Sequence, residues 1–325
     1  MERCKVAVLW PCDGAQRAEL ERSGGERCEF LYAEGLTREE RLPLLQQAEV
    51  IFGEPGIREI VQCPKLRWIQ LSWAGTDAYT MREGFPQRVA LTNASGCFRT
   101  VIPEYVLAVL LEMCRNLKDY AAFQQQGIYR RLREQVVLSG KRALIMGAGD
   151  IGTGTARRLK AFDVHVTGMR RTERNYPDCY DAMITRDGLS EALGEADIVV
   201  GCLPFTKDTV RMLDAEMLGR MKDDALLVNV GRGNLIDTDA LVRELQAGRF
   251  RGVALDVTDP EPLPPGHPLW SMDRVVLTPH VAGQSFGFCR DTEDKVVRLA
   301  CRNLERYLEG KEPENLVNFE TGYAS

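Results

Sequence analysis

The sequence predicts an α/β protein of two domains with parallel sheets, and three observations carry that prediction. The chain is 325 residues long, beyond the size at which a single hydrophobic core stops growing. Short apolar runs alternate with helical stretches, the pattern of a parallel sheet covered by helices. After a long amphipathic segment near the middle, the same alternation starts afresh.

The first series of strand-like runs is Lys5 to Trp10, Glu29 to Tyr32, Val50 to Gly53, Leu66 to Leu71 and Val89 to Thr92. Pro103 then opens one long helix through about Gln125, with Val106, Leu107, Leu110, Leu111 and Cys114 at helical spacing and the proline accommodated in the first turn. This helix is expected to link the domains. The second series runs at Ala143 to Gly147, Val164 to Gly168, Asp197 to Cys202, Ala225 to Val230, Gly252 to Val257 and Val275 to Thr278. Six strands fit a doubly wound sheet. Val296, Val297, Ala300, Leu304 and Leu308 mark one face of a final helix that returns to the first domain. The expected division is therefore 1–98 plus 290–325 for one domain and 99–289 for the other.

Composition narrows the function classes. With 44% hydrophobic and 27% charged residues the chain reads as folded and globular. A net charge of -5 gives no general attraction to nucleic acid or to an anionic membrane, so a small molecule is the expected partner. The ten cysteines form no C-x-x-C pair and only three histidines accompany them, so no metal site is expected. Met1-Glu2-Arg3-Cys4 leads directly into Val6-Ala7-Val8-Leu9 without the features of a signal peptide, and no run approaches the roughly 18 apolar residues that cross a bilayer. A reducing cytoplasm suits these facts.

Gly147-Ala148-Gly149-Asp150-Ile151-Gly152 directly follows the strand Ala143 to Met146 and opens a helix through Ala156, Leu159 and Phe162. In that context G-x-G-x-x-G is a dinucleotide-binding fingerprint. The first glycine permits the tight turn, the second admits the pyrophosphate and the third allows close helix packing, with the helix N-terminus attracting phosphate charge. NAD-selective domains of this Rossmann type place an acidic residue about twenty positions on, against the ribose 2′-hydroxyl. Arg170 holds that place here, within Gly168-Met169-Arg170-Arg171-Thr172-Glu173-Arg174. Arg170, Arg171 and Thr172 suit a 2′-phosphate, so NADP(H) is preferred. The competing reading is a solvated arginine cluster, with NAD(H) bound without an acidic partner.

Three further segments follow strands of the second series: Asn229-Val230-Gly231-Arg232-Gly233, Leu255-Asp256-Val257-Thr258-Asp259-Pro260-Glu261-Pro262, and Thr278-Pro279-His280-Val281-Ala282-Gly283. Ligands of open α/β sheets bind at such strand ends. The order Gly-Arg-Gly, Asp-x-x-x-x-Glu-Pro-Leu-Pro, Pro-Leu-Trp and Thr-Pro-His-x-Ala resembles the D-isomer-specific 2-hydroxyacid dehydrogenases over nearly the whole chain, and is similar in particular to their glyoxylate/hydroxypyruvate reductase branch. The resemblance implies a Rossmann dinucleotide-binding domain and a smaller flavodoxin-like substrate domain, with the active site in the cleft between them. It implies Arg232, Glu261 and His280 as the catalytic trio.

Reduction of a 2-oxoacid asks for those residue types. Arg232 can fork across carboxylate and carbonyl oxygens. His280 can give its proton as hydride arrives from the nicotinamide, and Glu261, paired with the ring, would raise the histidine pKa and orient it. By resemblance Asp256 contacts the nicotinamide carboxamide, although a carboxylate after a strand also serves as a helix cap. The cofactor set we assign further includes Leu203, Pro204, Thr209, Val230, Gly231, Ala282 and Gly283, with His280 beside the nicotinamide. Gln70-Leu71-Ser72-Trp73-Ala74-Gly75-Thr76-Asp77 looks like the family's glycine loop, in which the amides of Ala74 and Gly75 receive the substrate carboxylate; Trp73 reads as pocket wall or as core. Tyr129 stands where relatives commonly carry tryptophan, His267 reads as a loop residue and His165 as structural. The expected protein is a homodimeric oxidoreductase acting on a small 2-oxoacid or 2-hydroxyacid. The rival class is a nucleotide-sensing scaffold like the C-terminal-binding corepressors, and a rival reaction is formate or phosphite oxidation.

Overall fold

The computed structural model describes residues 3–132, 135–172 and 175–324. The chain forms two compact units, Met1–Phe98 with Gln284–Ser325, and Arg99–Gly283.

In the first unit, β1 (Cys4–Val8), β2 (Cys28–Tyr32), β3 (Val50–Phe52), β4 (Trp68–Gln70) and β5 (Ala90–Thr92) form a parallel sheet in the order β2-β1-β3-β4-β5. This is the flavodoxin-like order. Helices α1 (Gly14–Gly24), α2 (Arg38–Leu45), α3 (Ile57–Ile60) and α4 (Asp77–Thr80) fill the connections. Asp13 caps α1 by accepting from the Gln16 amide, and Thr37 caps α2 by accepting from the Glu40 amide, so local sequence sets where both helices start. Ala7, Ile51, Ile69 and Leu91 pack into one core with Leu45, Ile60 and Leu66, while Val6, Val50, Phe52 and Trp68 are buried on the opposite face. Burial on both faces explains why these strands read as continuous apolar runs.

In the second unit, α5 (Val101–Arg115) and α6 (Leu117–Gln125) precede the sheet. The single long helix expected from Pro103 is thus two helices, because Asn116 adopts a left-handed conformation, φ 55° and ψ 38°, that stops the first. Asparagine tolerates that region where most residues do not. The apolar residues of α5 are buried on one face, whereas α6 buries none, so the hydrophobic pattern that suggested one helix belongs to its first half.

Strands β6 (Arg142–Met146), β7 (His165–Met169), β8 (Ala182–Ile184), β9 (Ile198–Gly201), β10 (Leu226–Asn229), β11 (Gly252–Leu255) and β12 (Val275–Leu277) are all parallel, in the order β12-β11-β10-β9-β6-β7-β8. The sheet therefore has seven strands rather than six. Strand β8 escaped notice because its three residues are only half-buried, too short a run to stand out. Helices α7 (Asp150–Lys160), α8 (Leu189–Glu195), α9 (Ala215–Arg220) and α10 (Thr238–Gln246) cover the sheet. Its core runs from Leu144 and Met146 through Val199, Leu227, Val253 and Leu255. Strand order reverses between β6 and β9, the switch point where doubly wound sheets bind ligands. Finally α11 (Arg290–Leu308) packs against α1 of the first unit and buries Val296, Val297, Ala300 and Leu304. Among the described residues, no helix is long and apolar enough to cross a membrane.

Candidate active site

The turn from Gly147 to Gly149 joins the end of β6 to the start of α7, and its two glycines together with Gly152 of α7 meet three different demands. Gly147 has φ +106°, a conformation open to glycine, and a Cβ there would stand 3.0 Å from the Cys202 carbonyl. At Gly152 a Cβ would lie 2.1 Å from the Gly147 carbonyl oxygen, so the helix can approach the turn only without a side chain. A Cβ at Gly149 would meet nothing within 4 Å. The open space at the N-terminus of an 11-residue helix suits a pyrophosphate, which the exposed peptide dipoles would attract. The amides of Gly147 and Ala148 donate to the Met169 carbonyl at 3.1 and 2.9 Å and so tie the turn to β7. Asp150 is exposed in the first turn of α7, 3.4 Å from Arg99 Nε, and Ile151 is half-buried behind it.

Arg170 is the first residue after β7, and its guanidinium donates to the Asn175 carbonyl at 3.3 Å. Arg171 and Thr172 are exposed. Glu173 and Arg174, named above as part of this cluster, lie outside the described residues. Across the switch point, Leu203 and Pro204 follow β9 and are half-buried. The buried Thr209 hydroxyl stands 2.7 Å from the Pro204 carbonyl and accepts from the Thr206 amide, closing the turn between them. Val230 continues β10 and donates to the Gly201 carbonyl at 3.0 Å. Gly231 permits contact between the loops after β9 and β10, because a Cβ there would lie 2.4 Å from the Leu203 oxygen. Burial raises the Cys202 thiol to about 12, so this cysteine beside the turn is no nucleophile at neutral pH.

His280 and Glu261 meet through Nδ1 and Oε1 at 2.8 Å, both roughly half-exposed. Arg232 is extended and half-buried, and its Nη1 donates to the Gly231 carbonyl at 3.0 Å. Gly233 brings its loop against the one bearing Glu261, since a Cβ there would fall 1.9 Å from the Thr258 oxygen. Arg232 and Glu261 therefore ride on touching loops. Asp256 is not a helix cap: its carboxylate accepts from Thr278 Oγ1 at 2.6 Å and from the amides of Val281 and Ala282 at 2.8 and 2.9 Å. Those donors flank His280, whose φ is +56° and whose amide donates to the Asp256 carbonyl at 2.8 Å. A non-glycine residue held there stores about 1–3 kcal/mol of backbone strain, borne by the bonds around it. Gly283 closes the segment.

In the first unit, the Ser72–Gly75 loop follows β4. Its carbonyls are pinned: the Asn93 side chain donates to Ala74 at 2.7 Å and the Ala94 amide to Trp73 at 2.9 Å. Glu54 accepts both the amide and the hydroxyl of Ser72, at 2.6 and 2.8 Å. Burial pushes the Glu54 carboxyl above the ordinary range, partly offset by Ser72. Trp73 is 46% exposed, so of its two readings core packing does not hold. Tyr129 is fully exposed. His165 begins β7 with its side chain exposed, and His267 caps a short 3-10 turn by accepting from the Leu269 amide.

Sequence reasoning overlooked several residues that shape this site. Asn229 clamps the Arg232 loop, its side chain accepting from Gly231 N at 3.1 Å and donating to the Arg232 carbonyl at 2.9 Å. Asparagine at a strand end, two residues before a glycine, was a readable signal, because its side chain readily closes such turns. The pairing of Tyr105 with Thr278, whose hydroxyls lie 2.6 Å apart, left no such trace.

Comparison with known proteins identifies the family. A family model described as D-isomer specific 2-hydroxyacid dehydrogenase, NAD binding domain, matches residues 107–282. The chain is 32% identical to a glyoxylate reductase of Thermofilum pendens over 262 residues, covering 79% of this chain and 76% of that one. Its fold superposes with a TM-score of 0.88 on a D-isomer specific 2-hydroxyacid dehydrogenase family protein from Aeromonas salmonicida, at 28% identity over 98% of this chain and 100% of the other. An NADPH-dependent glyoxylate/hydroxypyruvate reductase of Sinorhizobium meliloti, in complex with NADP and sulfate, superposes at 0.82 with 25% identity, covering 99% of this chain and 100% of that one.

Proposed function

Because the chain belongs to the D-isomer-specific 2-hydroxyacid dehydrogenase family, whose members are NAD(P)-dependent oxidoreductases acting on 2-hydroxyacids, we propose that it reduces a small 2-oxoacid of the glyoxylate or hydroxypyruvate kind with NADPH, His280 serving as proton donor. The observation that carries this reading is the pair His280 Nδ1 to Glu261 Oε1 at 2.8 Å, in the same unit as the glycine turn.

Glu261 holds Nδ1, so proton exchange with the substrate oxygen is assigned to Nε2. Arg232 supplies a planar cation that can fork across the substrate carboxylate and its carbonyl oxygen. The nicotinamide, when bound, supplies the hydride. In reduction the carbonyl carbon gains the hydride, the oxygen gains the His280 proton, and the histidine is reprotonated from solvent; oxidation reverses each transfer.

Gly147, Gly149, Asp150, Ile151 and Gly152 are assigned to the pyrophosphate, and Arg170, Arg171 and Thr172 to a 2′-phosphate. Leu203, Pro204, Thr209, Val230, Gly231, Asp256, Ala282 and Gly283 complete the cofactor set. NADP(H) is preferred and NAD(H) accepted; the NADP found with the Sinorhizobium meliloti enzyme supports this order. Residues 1–98 with 290–325 form the substrate domain in this reading, with Trp73 and the amides of Ala74 and Gly75 receiving the substrate. A cytoplasmic homodimer belongs to the same reading, and sedimentation of the purified protein checks the dimer.

The test is oxidation of NADPH and of NADH by the purified protein with glyoxylate, hydroxypyruvate and larger 2-oxoacids. Turnover is expected, faster with NADPH. No turnover with any substrate would favour the nucleotide-sensing scaffold.

A further inference from the structure

His280 owes its place to a hydrogen-bonded chain that begins on a helix. Tyr105, on α5, stands with its hydroxyl 2.6 Å from Thr278 Oγ1, and Thr278 Oγ1 stands 2.6 Å from Asp256 Oδ1. The Asp256 carboxylate already accepts the amides of Val281 and Ala282, so the single Thr278 hydroxyl proton goes to it. Tyr105 must then be the donor to Thr278. Burial pushes the Tyr105 hydroxyl up to about 12, so it remains a donor through neutral pH. The chain runs one way, tyrosine to threonine to aspartate, and each bond polarises the next.

That direction has a mechanical consequence. Asp256 takes one donor from the residue two before His280 and two from the residues just after it, while its own carbonyl takes the His280 amide at 2.8 Å. The left-handed backbone of His280 persists because these bonds leave the segment no other arrangement. At its far end the chain is anchored to α5, whose start presses on the phosphate-turn helix: a Cβ at Gly154 of α7 would lie 2.6 Å from the Arg99 oxygen and 2.8 Å from Pro103. The proton donor and the assigned phosphate site thus share one frame.

We propose that Tyr105, acting through Thr278 and Asp256, is a positioning residue that holds His280 against Glu261 for proton transfer. This rests on His280 being the proton donor. Tyr105→Phe keeps the ring and removes only the donated hydrogen bond, and Thr278→Val cuts the chain while Thr278→Ser retains it. Expected are a fall in kcat of about tenfold for Tyr105→Phe and more for Thr278→Val, since small misplacements of catalytic groups are costly. The NADPH dissociation constant should not move, and Thr278→Ser should restore kcat to within about threefold of the parent. The double variant Tyr105→Phe with Thr278→Val should match Thr278→Val alone, because the tyrosine acts through the threonine. A parental kcat for Tyr105→Phe, or losses that multiply in the double variant, would overturn the proposal. If Thr278→Val fails to fold, Tyr105→Phe and Thr278→Ser decide it. His280→Ala, measured beside them, separates the two ideas: near-parental turnover there removes the proton-donor reading and this proposal with it, whereas an inactive His280→Ala with an unaffected Tyr105→Phe removes the positioning role alone.

Discussion

At the scale of single residues, His280 is distinguished by being held from two sides, its ring by Glu261 and its backbone by Asp256. Replacing it with alanine takes away the proposed proton donor and leaves the glycine turn untouched. His280→Ala is expected to lower kcat by about a hundred- to ten-thousand-fold while NADPH still binds, as measured by cofactor fluorescence. Near-parental turnover would contradict the role. Arg170 poses a separate question, because its guanidinium touches the Asn175 carbonyl at the rim of the loop after β7. A carboxylate there favours the ribose 2′-hydroxyl and repels a 2′-phosphate. Arg170→Asp is therefore expected to shift the ratio of kcat/KM for NADPH over NADH toward NADH; an unchanged ratio would assign 2′-phosphate recognition elsewhere. Both proposed roles were drawn from the chain, since Arg170 lies the expected distance past the fingerprint and His280 follows a strand. The Tyr105 partnership was not, because 173 residues separate Tyr105 from Thr278.

The glycine turn shows how an element divides its labour. Gly149 has open space around its missing side chain, whereas at Gly152 a Cβ would collide with the Gly147 carbonyl at 2.1 Å. The same substitution should then fail in two ways. Gly149→Ala is expected to melt like the parent yet lose most of its NADPH affinity, because the methyl group enters the space assigned to the pyrophosphate. Gly152→Ala is expected to lose stability by about 1–3 kcal/mol through overpacking, visible in denaturant melts without cofactor. If both variants lost stability alike, the assignment of the Gly149 space would be wrong. This contrast follows the motif spacing, which is local and readable. The break at Asn116 and the short β8 were harder: a helix period continues across a single left-handed residue, and three half-buried residues make no periodic signal.

For the molecule as a whole, each unit contains a carboxylate that couples folding to pH, buried in the first and half-buried in the second. Glu59, 7% exposed, would be raised by burial, but Arg41 at 2.7 and 2.8 Å and the Gly56 amide outweigh that and hold it below the ordinary carboxylate range. In the second unit, burial works against Asp197 in the same way and is outweighed by the Arg142 amide and Lys222, at 2.8 and 2.9 Å. A depressed folded-state pKa contributes stability that is complete above the unfolded value and is lost as pH falls through the folded one. Stability of the first unit is therefore expected to drop as pH falls below about 4.5, the ordinary glutamate value, and that of the second below about 3.8, the ordinary aspartate value. Glu59→Gln should cost about 1–3 kcal/mol at pH 7 by weakening the bonds to Arg41. Its deficit should shrink in acid, where the parent glutamate also protonates; a deficit constant from pH 7 to pH 3 would refute the coupling.

The chain by itself determined the architecture and named the candidate residues. Alternating apolar runs, a fingerprint after a strand, and an arginine, a glutamate and a histidine after later strands are all written in residues close together in sequence. Periodicity and spacing are local, so they survive in the linear text. The tertiary structure decided the rest: that Glu261 reaches the Nδ1 side of His280, that Asp256 anchors a loop instead of capping a helix, and that the Tyr105 hydroxyl meets that loop at Thr278 from a helix far away in sequence. Hydrogen bonds across long stretches of chain depend on distances of a few tenths of an ångström, and only the packing of the sheet and its helices sets those.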